Sequence, residues 1–481
     1  MTNFRRFLIS AVFLLVFLAG CNFRPGHKVY AYAEQLLAKG ELTEASEVAQ
    51  KILKSYNLSP LEKEKVDSIL EMIYRIRQDF TLSDREVLLK LGKYHPNMDR
   101  SDLLQLEGMN KLDCRILDGE KRYFKNCVSN VFRLDTTYSR MYSVINGEVT
   151  DSFQIFKLSH TAAVLNDTKV SGQPVKPVRI ELSYTIKVQS NAVPAGDTIR
   201  CWMPYPRENH DRQKDVRLIS TNPVKNQLSP ASDLQRSIYL EKVAIANQPV
   251  LFHTEMELTS SGQSFQLTPE MIRPYQKESV LYKENTAERP PQIVFNDRIK
   301  SLAKNILRGD TNPLLQVKKI YQWINDSVTW ASALEYSIIP DIPGFVMERR
   351  HGDCGMQTLL FMTLARSQGI PVKWQSGWML HPGEVNLHDW CEVWYEGIGW
   401  VPLDQSFGLQ NSPDPRIRDF YITGIDSYRL IVNDDFSKPF TPLKQYFRSE
   451  PYDFQRGELE WNGGNLYFDK WSWDMEVTYE K

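Results

Sequence analysis

One stretch decides how this 481-residue chain is interpreted: His351–Gly408, which reads HGDCGMQTLLFMTLARSQGIPVKWQSGWMLHPGEVNLHDWCEVWYEGIGWVPLDQSFG. Near its start, Cys354 stands between Asp353 and Gly355, ahead of a run to Ala365 that is almost wholly apolar. Such a run predicts a buried helix with the cysteine at its N-terminus. There, unpaired backbone N–H groups and the helix dipole favour thiolate over thiol and could hold an oxyanion. A packed core cysteine is the simpler alternative.

A hairpin follows the helix, and its register predicts that two further functional side chains lie together. The segments His388–Trp394 and Gly399–Gln405 are predicted strands, joined by a three-residue loop, Tyr395–Gly397, with its glycine in the left-handed conformation. Paired residue numbers then sum to 792, which places His388 opposite Asp404 on one face, with Cβ atoms about 5 Å apart. A carboxylate there can hold one ring nitrogen and leave the other to accept a proton from a thiol. A two-residue turn would separate the two side chains.

Other residues of the same stretch allow competing interpretations. Asp353 or Asp389 could orient the histidine in place of Asp404, although strand alternation places Asp389 on the face opposite His388. Cys391 also falls on that opposite face, which favours a buried apolar role. Cys354, His388 and Cys391 are zinc-ligand types, but their spacing does not match a usual zinc site.

The ordered motifs resemble the transglutaminase-like core, a family with a papain-like cysteine–histidine–aspartate arrangement. The resemblance covers about residues 312–410 and implies an α+β fold. It also implies that Cys354 is the nucleophile, His388 the general base and Asp404 the residue that orients the base. Family members often place an upstream aromatic side chain near the oxyanion, and Trp330 is the candidate, although a plain core role is as well supported. An acidic cluster like the calcium sites of animal transglutaminases is not evident, so no cofactor or metal is expected. The motifs are Gly352-Asp-Cys-Gly, Ala365-Arg, Gly369-Ile-Pro, His388-Asp-Trp, Glu392-Val and Gly399-Trp-Val-Pro-Leu-Asp404.

The N-terminal residues have the composition of a targeting segment. Arg5 and Arg6 precede an apolar run, Phe7–Leu18, that is too short to span a bilayer easily and fits a secretory signal. Small residues then lead directly into Cys21, as in the lipobox of bacterial lipoproteins, so Cys21 is the predicted lipidation site. An ordinary signal peptide or an uncleaved anchor is the alternative. Removal of residues 1–20 deletes two arginines and no acidic residue, so the net charge falls from −1 to −3. This balance does not favour nucleic acid as a partner.

The chain is predicted to contain several domains. The N-terminal region shows helical spacing, and a strictly alternating segment that begins at Val178 marks a half-buried strand of an antiparallel β-sandwich. Cys114 and Cys127 could close a short disulfide loop in an oxidising compartment. The predicted divisions are a lipoprotein signal peptide (1–20), a helical region (21–170), a β-sandwich (171–285), a transglutaminase-like catalytic domain (290–430) and an aromatic-rich extension that packs on the core (431–481).

Together these features predict an extracytoplasmic, lipid-anchored cysteine enzyme of the cell envelope. Its partners would be a protein or peptide substrate and, through the N-terminal lipid, a membrane. Acyl transfer through a thioester would cleave or exchange amide bonds. Single-chain bacterial members of the family look more often hydrolytic than crosslinking, so the resemblance favours a peptidase or amidase. The alternatives are a catalytically idle binding module of the same fold and a structural envelope lipoprotein.

Overall fold

A computed structural model describes residues 29–147 and 151–480, which form two compact units. The first unit comprises the described residues up to Tyr74 together with Arg115–Lys121, and the second comprises Arg75–Cys114 and the described residues from Arg122 onward. The predicted signal peptide and Cys21 lie outside the described residues. The helices are α1 (Ala31–Lys39), α2 (Leu42–Ser55), α3 (Pro60–Asp79), α4 (Asp84–Gly92), α5 (Arg100–Gly108), α6 (Cys127–Leu134), α7 (Thr136–Asn146), α8 (Ser152–Asp167), α9 (Val280–Thr286), α10 (Asp297–Leu307), α11 (Pro313–Ser327), α12 (Ile342–Arg349), α13 (Cys354–Ser367) and α14 (Pro415–Arg418).

In the described part of the chain, the strands make up five sheets. They are β1 (Cys114–Leu117), β2 (Glu120–Tyr123), β3 (Val175–Val188), β4 (Thr198–Pro204), β5 (Gln213–Asn222), β6 (Asn226–Leu228), β7 (Ser237–Val243), β8 (Val250–Ser264), β9 (Thr329–Trp330), β10 (His351–Gly352), β11 (Val372–His381), β12 (Glu384–Tyr395), β13 (Gly399–Leu403), β14 (Gly424–Ile425), β15 (Arg429–Asn433), β16 (Glu458–Trp461), β17 (Gly464–Leu466) and β18 (Trp471–Glu480).

Local signals place the N-terminal helices correctly. Helix α3 begins at Pro60, where the missing N–H of proline costs nothing. Ser83 and Glu86 form the capping box that opens α4. The short hairpin β1–β2 interrupts the helices and was not predicted. Cys127 is a free, buried thiol at the start of α6, so the disulfide with Cys114 that the sequence left open is not formed.

Two antiparallel sheets form the β-sandwich, and the C-terminal residues complete both of them. One sheet has the order β14-β8-β3-β18, with β5 paired to β8, and the other has the order β17-β16-β4-β7-β6. Strand β18 pairs with β3 along its whole length, from Trp471 opposite Val188 to Glu480 opposite Arg179. The extension predicted only to pack on the core is therefore part of the sandwich, because its alternating residues supply edge strands that a local pattern cannot assign to a sheet.

A third antiparallel sheet, with the order β13-β12-β11-β15, belongs to the predicted catalytic region. Its Trp378, Leu380, Leu430 and Val432 are buried in the same apolar cluster as the sandwich residues. The sandwich and catalytic regions therefore share one core within the second unit. The α+β prediction is confirmed. None of the described helices is both long and apolar enough to cross a bilayer.

The shared core makes the last strand a sensitive point for stability. Trp471 is buried in this core, and its indole N–H donates to the Leu466 carbonyl at 2.9 Å. The substitution Trp471→Ala is expected to lower the free energy of unfolding by about 3–5 kcal/mol, because it leaves a cavity and an unpaired carbonyl. Urea denaturation followed by far-UV circular dichroism measures the change.

The matched control on the same strand is Glu476→Ala, because Glu476 is exposed. This substitution is expected to change the unfolding free energy by no more than about 0.5 kcal/mol. If Trp471→Ala changed the free energy of unfolding as little as Glu476→Ala does, the C-terminal strand would not contribute to the stability of the core.

Candidate active site

Cys354 is the first residue of α13, as predicted. Asp353 is the N-cap, accepts the Met356 N–H at 3.1 Å, and takes a hydrogen bond from the Tyr336 hydroxyl at 2.5 Å. Every side chain from Gly355 to Arg366 is buried. A helix buried on all sides cannot slide without breaking its packing, so the position of the sulfur is tightly fixed.

The thiol contacts Asp389 of strand β12. Cys354 Sγ donates to Asp389 Oδ2 at 3.4 Å, and the backbone N–H of Asp389 is directed at the same sulfur. Burial raises the pKa of the Cys354 thiol well above its ordinary value, and the carboxylates of Asp389 and Asp353 raise it further. The predicted preference for thiolate is therefore wrong for this arrangement, because desolvation and two carboxylates outweigh the helix N-terminus.

The hairpin that carries His388 differs from its predicted register by two residues. Tyr395 pairs with Gly399, and Cys391 pairs with Leu403, so paired residue numbers sum to 794. The three-residue loop is thus 396–398, one residue later than predicted, although Gly397 has the expected positive φ of 85°. A shift of two preserves which face each side chain occupies.

His388 and Asp404 meet in spite of the shifted register. Asp404 follows the end of β13, diagonal to His388, and its Oδ2 lies 2.7 Å from His388 Nε2. Burial lowers the pKa of His388, although Asp404 raises it, so the ring is neutral near pH 7. This neutral imidazole can act as a base.

Arg429 links this pair to a second histidine–aspartate pair. Its guanidinium lies 2.8 Å from Asp404 Oδ2 and 3.1 Å from Asp426 Oδ2, and all three side chains are buried. Asp426 Oδ1 in turn lies 2.9 Å from His381 Nε2. Burial alone would raise the pKa of Asp404, but His388 and Arg429 lower it, so this carboxylate is ionised.

The structure therefore assembles two pairs, Cys354 with Asp389 and His388 with Asp404, rather than one triad. Within the described residues, the thiol of Cys354 forms its side-chain hydrogen bond with Asp389 and none with His388. Adjacent side chains of a strand point to opposite faces, so the ring of His388 lies on the face that carries Trp390. The sulfur nevertheless lies against the amide that joins residues 388 and 389. Asp389 does not orient the histidine, which excludes that alternative in this arrangement.

A cavity of about 340 Å³ opens beside the sulfur. Trp330 lies in its wall with 40% of its surface exposed, and the Arg133 guanidinium stacks 5.0 Å from the centre of a Trp330 ring. The short parallel pairing of β9 with β10 sets Trp330 beside Gly352, two residues before Cys354. The oxyanion role of Trp330 stays a prediction.

Several residues at this site were missed by sequence reasoning. Gln455 Nε2 donates to the His388 carbonyl at 2.8 Å and to Asp389 Oδ1 at 2.7 Å, so a tail residue positions both strand residues. Glu450 and Asp453 also line the cavity. The signal that could have identified them is the unusual density of acidic and arginine side chains in 448–458, within an otherwise aromatic segment. For the zinc alternative, no group of three His, Cys, Asp or Glu side chains in residues 29–147 and 151–480 is arranged so that it could hold a metal ion.

Comparison with known proteins agrees with the geometry of this region. Residues 300–405 match the family model of the transglutaminase-like superfamily. An uncharacterized protein of Bacillus subtilis (strain 168), YebA, is 24% identical over 136 residues, which covers 24% of this chain and 18% of that protein. The chain thus spans less than a fifth of that relative's length.

Solved structures show weaker similarity. A candidate cysteine protease from Cytophaga hutchinsonii is 15% identical with a TM-score of 0.42, and the match covers 64% of this chain and 91% of that one. The periplasmic domain of TgpA from Pseudomonas aeruginosa is 14% identical with a TM-score of 0.25, and the match covers 53% and 93%. The match to the transglutaminase-like family model supports a cysteine-dependent enzyme in general.

The acidic neighbours of Cys354 predict an unusual pH profile for its alkylation. Because the thiol pKa is raised, the rate of reaction with iodoacetamide should increase only at pH values above the range of an ordinary thiol. The substitution Asp389→Asn removes a negative charge beside the sulfur and should move the midpoint to lower pH, with several-fold faster labelling at pH 8. Site-resolved mass spectrometry measures both rates.

Asp474→Asn is the control for this experiment, because Asp474 is exposed on β18. It should leave the Cys354 midpoint unchanged. A wild-type midpoint at or below that of a free cysteine would contradict the assigned environment.

Proposed function

Because residues 300–405 match the family model of the transglutaminase-like superfamily, we propose that this protein is a cysteine-dependent enzyme that acts on amide bonds of proteins or peptides. The observation that carries the proposal is the half-buried thiol of Cys354 beside a cavity, at the N-terminus of a buried helix. The sulfur contacts β12 at Asp389, and the adjacent residue on that strand, His388, is paired with Asp404. Nucleophile, base and orienting carboxylate are thus within one small region.

The proposed reaction is acyl transfer. The sulfur of Cys354 attacks the amide carbonyl, and its proton passes to the neutral ring of His388. The C–N bond then breaks, and the departing amine takes that proton, which leaves a thioester on Cys354. Water attacks the thioester, gives a carboxylic acid and restores the thiol, so the net reaction is hydrolysis. An amine in place of water would give a crosslink, and the family resemblance favours water.

A movement of His388 completes the site in this proposal. Its ring occupies the face of β12 that carries Asp404, whereas the sulfur lies at the amide between residues 388 and 389. A side-chain rotation about the edge of the strand would carry one ring nitrogen toward the sulfur. Strand β13 ends at Leu403 and so does not pair with β12 at His388, which leaves this edge open. Until then, burial and the neighbouring Asp389 favour the thiol over the thiolate, because both raise the pKa of Cys354.

Turnover by a peptide library tests the proposal. Wild-type protein should produce new peptide termini that carry ¹⁸O from labelled water, detected by mass spectrometry. Cys354→Ala should abolish the products, and His388→Ala and Asp404→Asn should lower the rate at least about 100-fold. Addition of a labelled amine distinguishes hydrolysis from transamidation.

Asp389→Asn distinguishes the two proton acceptors that the geometry offers. If His388 is the base, this variant keeps most of its activity, and its pH optimum moves downward with the thiol pKa. Loss of turnover in Asp389→Asn together with retention in His388→Ala would assign the base to Asp389 instead. Thermal unfolding of each variant confirms that the fold is intact.

One observation favours a second function, a binding module that uses the fold without catalysis. The thiol is paired with a carboxylate rather than with the imidazole, and its pKa is raised. A wild-type protein that binds peptides but releases no product, with Cys354→Ala binding equally well, would establish this function. If the protein is instead a structural envelope lipoprotein, neither peptide binding nor peptide turnover is expected.

We also propose that the protein is anchored by a lipid on Cys21 and faces an extracytoplasmic compartment. The support is the sequence of residues 1–21, with its basic start, short apolar run and small residues before the cysteine. In a bacterial host, the wild-type chain should fractionate with membranes and carry an acyl mass increment on its N-terminal peptide. Cys21→Ser should lose both properties, whereas Cys114→Ser should retain them. Retention of the acyl increment by Cys21→Ser would refute the anchor.

A further inference from the structure

The cavity beside Cys354 is unusually acidic. Five carboxylates line it, with a single guanidinium, that of Arg456, among its described lining residues. The acids are Glu335, Asp353, Asp389, Glu450 and Asp453. They come from three separate parts of the second unit, so the excess of negative charge is produced by the fold rather than by a local acidic run.

Most of these carboxylates have partners inside the protein. The guanidinium of Arg456 forms a two-pronged ion pair with Glu335, at 3.1 and 2.7 Å, and lies 4.0 Å from Glu450. Asp353 caps α13, and Asp389 is held by Gln455 and Cys354. Arg456, the one cation among the described residues that line the cavity, is thus already engaged.

Asp453 is the exception. Its side chain lines the cavity, and the residue is only 7% exposed. Among the described residues, its carboxylate has no hydrogen bond and no ion pair within 4 Å, although its backbone carbonyl accepts from Arg448 at 2.8 Å. A buried carboxylate without a partner is costly, so Asp453 is placed to pair with a positive charge in the cavity.

The electrostatics of the cavity point the same way. Burial raises the pKa of Asp453 to about 7 and that of Asp353 to about 6. Burial also raises the pKa of Glu450 well above its ordinary value. A cation that enters the cavity would stabilise the ionised form of each acid.

We propose that this cavity binds an ammonium or guanidinium group of the peptide substrate, next to the amide that Cys354 attacks, with Asp453 as its principal partner. The inference rests on the proposed function, because it assigns a substrate class to the same site. A volume of about 340 Å³ accommodates one long basic side chain together with part of the peptide backbone. Arginine, lysine and a free α-amino group share the recognised chemistry.

Charged thiol reagents test the inference without any need for turnover. The probes are 2-aminoethyl methanethiosulfonate, a cation, and 2-sulfonatoethyl methanethiosulfonate, an anion, and both form a disulfide with Cys354 and release methanesulfinate. Rates at Cys354 are obtained by site-resolved mass spectrometry and divided by the rates with free cysteine. The normalised cation-to-anion ratio should be about tenfold or more in the wild-type protein.

Matched variants assign the preference to Asp453. Asp453→Asn, nearly equal in size, should reduce the ratio several-fold, whereas Asp453→Glu, which keeps the charge, and Asp474→Asn, on the exposed face of β18, should preserve it. A wild-type ratio near one, or an unchanged ratio in Asp453→Asn, would overturn the inference. Since the reagents require neither His388 nor catalysis, failure of this test is separate from failure to cleave peptides.

Peptide pairs identify the source of the charge. In an active enzyme, peptides with lysine or arginine should be cleaved faster than peptides with norleucine, and Asp453→Asn should raise KM for the basic peptides alone. Acetylation of the N-terminus should have the same effect if the bound group is the α-amine. Equal KM values for basic and neutral peptides would contradict the proposed substrate class.

Discussion

The site depends on the packing of helix α13, which is buried from Gly355 to Arg366, against strand β12. This contact holds the sulfur of Cys354 against the backbone amide between residues 388 and 389 and against the Asp389 carboxylate. Since the helix has no polar face to turn toward water, it can neither rotate nor slide without exposing apolar surface. The side chains of β12 near residues 388 and 389 therefore determine the electrostatic environment of the sulfur.

Alternation along β12 separates that chemistry into two environments. The face of His388 carries the buried network of Asp404, Arg429 and Asp426, in which one guanidinium keeps two carboxylates ionised. The face of Asp389 borders an acidic cavity in which burial raises the pKa values of several carboxylic acids and of the thiol. Two neighbouring residues thus lie in opposite electrostatic settings, and the proposed base reaches the proposed nucleophile only by moving around the strand.

The C-terminal segment joins the fold to the site. Its strands complete both sheets of the sandwich, while Gln455 ties the backbone of His388 to the side chain of Asp389. The same segment supplies Glu450, Asp453 and Arg456 to the cavity. Because the sandwich and the catalytic sheet share one apolar core, a loss of order in the tail would alter the site as well as the fold.

The sequence by itself determined the elements whose signals are local. The apolar run after Cys354 defined its helix, and the motifs from Gly352 to Asp404 carried the resemblance to the transglutaminase-like superfamily, whose family model matches residues 300–405. The spacing of the hairpin brought His388 to Asp404 even though the loop was displaced by one residue, because a shift of two keeps each side chain on its face. Only the tertiary structure decided that the thiol contacts Asp389, that Arg429 joins two histidine–aspartate pairs, and that the tail lines the cavity. Those contacts join residues from separate elements, and burial, which reverses the expected ionisation of the thiol, is a property of the assembled core rather than of any local pattern.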